Sequence, residues 1–299
     1  MRLGLGLAAL GRPAYINVGR SELPPSRSVA AMRDASWAVL DAAYAAGVRW
    51  VDVARSYGLA EEFLAGWLTE RAPADVTVSS KWGYAYVGGW RLDAAVHEEK
   101  AHTLDRFHAQ WAESSALLGD RLALYQVHSL TPDSPLFDDL ALQDALAALP
   151  VRVGFSTSGP EQASVVRRAL ALERHGQPVF TAVQSTWNLL EPSAGPALAE
   201  AHAEGAHVLV KEALANGRLA VDPPEPVAAL ANSLGTGPDA VALAAALAQP
   251  WADTVLSGAA GTGQLAGNLA ALTLSEVALP DLAEPPPDYW ARRSSLAWA

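Results

Sequence analysis

The sequence predicts an α/β fold of the (β/α)8 barrel class. Three observations carry that expectation: runs such as LALYQV and HVLV are apolar at consecutive positions, strands and helices alternate, and about eight such strands fall within roughly 250 residues. A strand covered by helices on a parallel sheet reads this way, whereas a strand of an antiparallel sandwich alternates apolar and polar residues. An open doubly wound sheet is the runner-up. It requires G-x-G-x-x-G between a strand and a helix, but Gly4, Gly6 and Gly11 are wrongly spaced and no helix follows them directly.

The first strand is expected at 2–7. A helix follows at 33–46, where Trp37, Leu40 and Tyr44 share one face before Gly47 ends the segment, and the run VRWVDVA supplies a strand at 48–54. Helices at 61–70, 99–118, 140–149, 161–172, 196–204, 238–248 and 265–272 then alternate with strands at 76–81, 122–128, 151–156, 180–184, 207–210 and 254–256. There is no internal repeat or linker, so residues 1–299 read as one domain. Its end, 279–299, is a tail in which the Pro-rich stretch 279–288 reads as extended. The Trp-containing remainder, with Trp290 and Trp298, is expected to fold back over the barrel.

Composition narrows the function. The 299 residues hold 21 Lys plus Arg against 32 Asp plus Glu, a net charge of −11 that repels nucleic-acid backbones. With no cysteine, disulfide scaffolds, Cys-ligated zinc and thiol nucleophiles are excluded, and a reducing, cytoplasmic setting is expected. The start, MRLGLGLAALGRP, is too short and too weakly charged for a secretory signal, and no apolar run approaches the ~20 residues of a membrane span.

Barrels of this class do their chemistry at the C-terminal ends of their strands. Asp52 lies near the end of VRWVDVA with Tyr57 in the loop beyond it, Lys81 closes VTVSSK, and His128 closes LALYQVH. Each has an ordinary structural explanation alone. Together they suit carbonyl reduction, in which negative charge develops on oxygen as hydride reaches carbon. Tyr57 can donate the proton, Lys81 can stabilise the phenolate, Asp52 can hold the ammonium, and a neutral His128 can orient the carbonyl.

The strings DVARSYG, SSKWGY and LYQVHS resemble the aspartate, tyrosine, lysine and histidine signature of the aldo-keto reductases. The likeness extends to GLGLAALG, GFSTS, VQSTWNLLE and SGAAGTGQLAGNLAAL, and so over nearly the whole chain. The resemblance implies reversible reduction of an aldehyde, ketone or sugar by a nicotinamide cofactor lying extended on the barrel rim, with Asp52, Tyr57, Lys81 and His128 as the catalytic four. It implies that Ser156, Thr157 and Gln184 bind the nicotinamide carboxamide. Lys211 stands where relatives often stack an aromatic ring, and either contacts a phosphate or pairs with Glu212. Leu214, Asn216, Gly217 and Arg218 fall on the loop over the pyrophosphate, and Gly258, Gln264 and Asn268 on the adenosine side. Ala260 replaces the basic residue that relatives use for the 2′-phosphate, so NADP(H) is expected from the family habit and NAD(H) is the alternative, unless Arg218 supplies the charge.

The aromatic residues Trp82, Tyr84, Tyr86, Trp90 and Trp187 are expected around a small-molecule carbonyl or alcohol substrate, with Tyr15 and Asn17 as further candidates. A nucleotide-binding sensor or regulatory subunit on the same barrel is the rival function, since four catalytic residue types do not separate a competent site from an idle one. Two other classes fail on spacing. The segment beginning at Gly154 has Ser158 where a nucleophile elbow needs its second glycine, and His97 and His102 do not share a helix face as a zinc pair would.

Overall fold

The computed structural model describes residues 1–299 except 17, 20, 275, 276 and 299. Eight parallel strands close into a barrel in chain order: β1 (Leu3–Gly6), β2 (Trp50–Asp52), β3 (Thr77–Trp82), β4 (Leu122–Leu130), β5 (Arg152–Thr157), β6 (Ala182–Thr186), β7 (His207–Lys211) and β8 (Thr254–Ser257). Closure comes from β1, which pairs with β8 through Leu3 and Val255 and with β2 through Leu5 and Val51. Each of the eight barrel strands coincides with an expected one. The consecutive apolar runs are buried as a parallel sheet requires, with Leu124, Tyr125 and Val127 of β4 fully enclosed.

Most helices also fall where expected: α1 (Val29–Ala45), α2 (Ala60–Arg71), α3 (Leu104–Leu118), α4 (Leu140–Ala147), α5 (Gln162–Leu170) and α6 (Gly195–Ala203). One correction concerns the segment 99–118. Thr103 caps α3 by accepting from the Arg106 N–H, so the helix starts later, and Glu98–Lys100 instead pairs antiparallel with Tyr84–Tyr86. Beyond β7 come α7 (Glu225–Leu234), α8 (Pro238–Leu247), α9 (Thr262–Leu269) and α10 (Pro286–Ser294). The sequence reading leaves out α7 and treats the start of α10, residues 286–288, as extended, because both helices begin in proline-rich sequence. There the prolines occupy the first helical turn, where a missing N–H costs nothing, so they start helices rather than break them.

The tail crosses the strands' C-terminal ends. Arg293 on α10 grips the Glu212 carboxylate through Nη2 at 2.5 Å and Nε at 2.9 Å. Arg218 and Arg292 both hold Glu284, and Trp298 stacks on His97 with ring centres 4.5 Å apart. Next to the tail, the loop after β1 lies directly on the turn that carries Tyr57. Leu59 N–H donates to Gly11 O at 2.7 Å, Gly58 adopts a left-handed φ of 64°, and a methyl group on Gly11 would meet the Ala60 Cα at 2.9 Å. Two glycines thus let two backbones touch.

Two outcomes follow. Gly11→Ala is predicted to lower the melting temperature by several degrees, on the order of 1–3 kcal/mol of overpacking, whereas Gly6→Ala, whose added carbon meets only ordinary contact, stays near wild type in the same thermal scan. Burial alone would raise the Glu212 pKa, but Arg293 and Lys211 hold it down to about 2, so the stability it contributes is present above the ordinary glutamate range and lost as pH falls toward 2. Arg293→Ala should therefore melt clearly lower at pH 7, with the gap from wild type narrowing below about pH 4.

Candidate active site

Asp52, Tyr57, Lys81 and His128 meet at the C-terminal mouth. The Lys81 ammonium, fully enclosed, donates to Asp52 Oδ2, to Val53 O at 3.0 Å and to Tyr57 Oη at 3.2 Å. The other Asp52 oxygen accepts from Ser79 Oγ at 2.7 Å, Gln184 Nε2 at 3.0 Å and Gln126 Nε2 at 3.2 Å. A buried ion pair without such further partners would be a liability, and here both lone-pair sets of the carboxylate are engaged. His128 packs edge-on against Tyr57, ring centres 5.5 Å apart, with Nδ1 3.4 Å from Ser56 Oγ. The β4–β5 register shifts between Val127 and Leu130, and Ser129 takes a φ of 54°; this bulge sets the direction in which His128 leaves the strand.

Electrostatics fix the protonation states. Burial, then the Asp52 carboxylate, pushes the Tyr57 phenol well above its usual 10, with Arg12 opposing. Desolvation, not the neighbouring lysine expected from the sequence, dominates the phenol's electrostatics, and Tyr57 is a firmly protonated donor. Burial, followed by Lys81, Lys211 and Arg12, drives the His128 pKa well below 6.5, so the ring is neutral.

These groups open into a cavity of about 620 Å³ whose wall runs from Tyr57 and His128 past Gln184, Lys211 and Leu214 to Gly217, Gly258, Gln264 and Asn268. Lys211 donates to Thr186 Oγ1 at 2.9 Å and lies 3.7 Å from Glu212; burial brings its pKa down to about 8 despite that acid. Tyr15, Tyr84 and Trp298 complete the tyrosine end, with Tyr84 5.0 Å from the His128 ring.

Other expected residues lie off this wall. Thr157 turns outward to Ser185 Oγ at 2.7 Å and Gln162, and Ser156 is buried with its Oγ accepting from the Ser129 N–H; Ser158 lines the cavity instead. Trp82 points away from the mouth and packs on Phe107, because its neighbour Lys81 points inward and side chains alternate along a strand. Trp187 packs on Trp251, Arg218 is committed to Glu284, and Ala260 is buried outside the wall. Asn17 lies outside the described residues.

Sequence reasoning missed Arg12, Glu98, Glu22 and Arg293. Arg12 is 1% exposed, donates to Glu98 at 2.6 Å and to Ser56 O at 2.9 Å, and lies over the rings of Tyr15, Tyr57 and Trp298. The one available signal was the arginine of the Gly11-Arg12-Pro13 turn directly after β1. Among the described residues no group of three or more His, Cys, Asp or Glu could hold a metal, and no helix is long and apolar enough to cross a membrane.

The fold and site can be set beside known proteins. No curated protein matches the chain. Among solved structures it is similar to AKR11C1, an aldo-keto reductase from Bacillus halodurans in its holo form, at a TM-score of 0.68 and 19% identity, with 99% of this chain and 92% of that one covered. It is also similar to a proposed aldo-keto reductase of Pseudomonas aeruginosa, at a TM-score of 0.65 and 22% identity over 92% and 90% of the two chains. At that identity these likenesses establish the barrel alone. The aldo/keto reductase family model matches residues 2–284, and the chain belongs to the aldo/keto reductase family.

Proposed function

We propose that the protein is a nicotinamide-dependent oxidoreductase interconverting a small carbonyl compound and its alcohol. The family binds nicotinamide cofactors and acts on small-molecule carbonyls. The observation that carries the reading for this chain is the hydrogen-bonded series Asp52–Lys81–Tyr57, which ends at the wall of the cavity.

The residues present fit a dinucleotide. The cavity's wall draws residues from both the Tyr57 and the α9 sides, its volume is in the range of ligand pockets, and a carbon added at Gly258 meets nothing within 4 Å, so backbone lies open to the space. Gln184 would hold the carboxamide end, Leu214 and Gly217 the middle, and Gly258, Gln264 and Asn268 the adenosine end. When bound, the nicotinamide supplies or accepts the hydride.

The protein's part is proton management. Tyr57 Oη gives its proton to the carbonyl oxygen as charge develops there, and takes it back in the oxidative direction. The Lys81 ammonium beside it stabilises the phenolate so formed, and Asp52 keeps that ammonium charged in an enclosed site. With Ser56 donating to Nδ1, neutral His128 carries its proton on Nε2 and donates to the same substrate oxygen. Residues 1–299 act as one unit in which the segment 279–299 closes the substrate side through Arg293 and Trp298.

Tyr57→Phe is expected to reduce carbonyl turnover about 10²-fold or more while nucleotide binding, followed by fluorescence titration, changes little; equal turnover in that variant would remove Tyr57 from its role. Lys81→Met should be similarly inactive. Because Tyr57 is shifted up and His128 down, neither titrates near neutrality, and a plot of kcat against pH should show no inflection near 6.5. A clear inflection there that disappears in His128→Ala would contradict the neutral imidazole.

A further inference from the structure

The two ends of the cavity differ in charge. Among the described residues of its wall the basic side chains are Arg12, Lys211 and Arg293. All three belong to the tyrosine end, where Arg12 lies over the Tyr57 ring and the other two face Glu212. The acids of that end, Asp52, Glu98 and Glu212, are paired with Lys81, with Arg12, and with Lys211 and Arg293, whereas the opposite end carries Glu22 and Asp239 with no basic side chain among the described residues of its wall. Glu22 belongs to the loop between β1 and α1 and reaches across to the start of α9, where its Oε2 accepts from the Gln264 backbone N–H at 3.0 Å. Gln264 fastens the same loop by donating through Nε2 to Gly19 O at 2.5 Å. Space for the carboxylate exists because residues 261 and 263 are glycines: an added carbon at Gly263 would lie 2.7 Å from Glu22 Oε1, and one at Gly261 would collide with Oε2. Asp239 of α8 lines the same end further along α9, and with the Asn268 amide oriented to satisfy its neighbours, the amide nitrogen donates to Asp239 Oδ2 at 2.8 Å.

A helix N-terminus of this kind ordinarily favours an incoming anion, since its N–H groups are unsatisfied and carry partial positive charge. Here a carboxylate of the chain itself already occupies it. The inference rests on the proposed cofactor reading, in which the nicotinamide lies beside Tyr57 and the adenosine half of an extended dinucleotide therefore reaches the Glu22 end.

We propose that Glu22 makes this enzyme selective for NAD(H): its carboxylate, set on the α9 N-terminus, accepts a hydrogen bond from the adenosine ribose hydroxyls and repels a 2′-phosphate. A ribose diol offers donors to a carboxylate acceptor, while a phosphomonoester offers only further negative charge to a site already holding Glu22 and Asp239. This reverses the NADP(H) expectation drawn from the family habit and locates the reason at Glu22, on the wall, rather than at position 260, which lies outside it.

The test is equilibrium titration of tryptophan fluorescence with NADH and NADPH, and with AMP and adenosine 2′,5′-bisphosphate as nicotinamide-free probes. The wild-type protein should bind NADH and AMP at least about tenfold more tightly than their 2′-phosphorylated counterparts. Glu22→Gln keeps an acceptor for the Gln264 N–H but removes the charge, and should narrow both ratios severalfold, chiefly by tightening NADPH. Wild-type binding of NADPH as tight as NADH, or ratios unmoved in Glu22→Gln, would overturn the selectivity role while leaving the reductase reading in place. Failure of all four probes to bind would overturn both.

Discussion

The site depends on a full positive charge kept inside a protein. Lys81 is 1% exposed, and an ammonium so placed persists only if other groups replace the water it has lost. Asp52, Val53 O and Tyr57 do so, and Asp52 is in turn held by three donors from β3, β4 and β6. Strands on several sides of the barrel thus converge on one carboxylate. The barrel serves less as a container than as a jig: its closed ring of strands makes the Lys81–Tyr57 distance a property of the whole fold.

Around that centre the mouth is assembled from pieces remote in sequence. Arg12 and Glu98 join the β1 loop to the Tyr84–Tyr86 hairpin, and Glu212 and Arg293 join β7 to the tail. Both pairs are largely shielded from water, so each adds directional attachment where a loop alone would be loose. The result is a tyrosine end surrounded by Tyr15, Tyr84 and Trp298 and an opposite end closed by the β1 loop reaching the 214–217 loop and α9, through Val18 N–H to Asn216 O and Glu22 to the Gln264 N–H.

Much of this was legible in the sequence, for identifiable reasons. Consecutive apolar runs mark strands covered on both faces, so all eight strands could be placed, and ionisable residues toward the ends of β2, β3 and β4 stood out because the middles of such strands are apolar. Alternation along a strand could also have excluded Trp82 once Lys81 was taken as inward-facing, and Thr157 is turned outward by the same rule. Proline misled: at 224, 226 and 285–287 it begins helices. The ion pairs were not legible, because their partners are 86 and 81 residues apart and only the folded topology brings them together. Glu22 left only an indirect trace, the glycines at 261 and 263 that make room for it.

A crystal structure of the protein with a bound nicotinamide dinucleotide tests the account most directly. The account predicts the nicotinamide ring in the space between Gln184 and Tyr57, with its reactive face turned toward the Tyr57 hydroxyl and the rest of the molecule running past Gly217 to α9. A dinucleotide bound outside this cavity, or inside it with the nicotinamide at the Gln264 end, would contradict it.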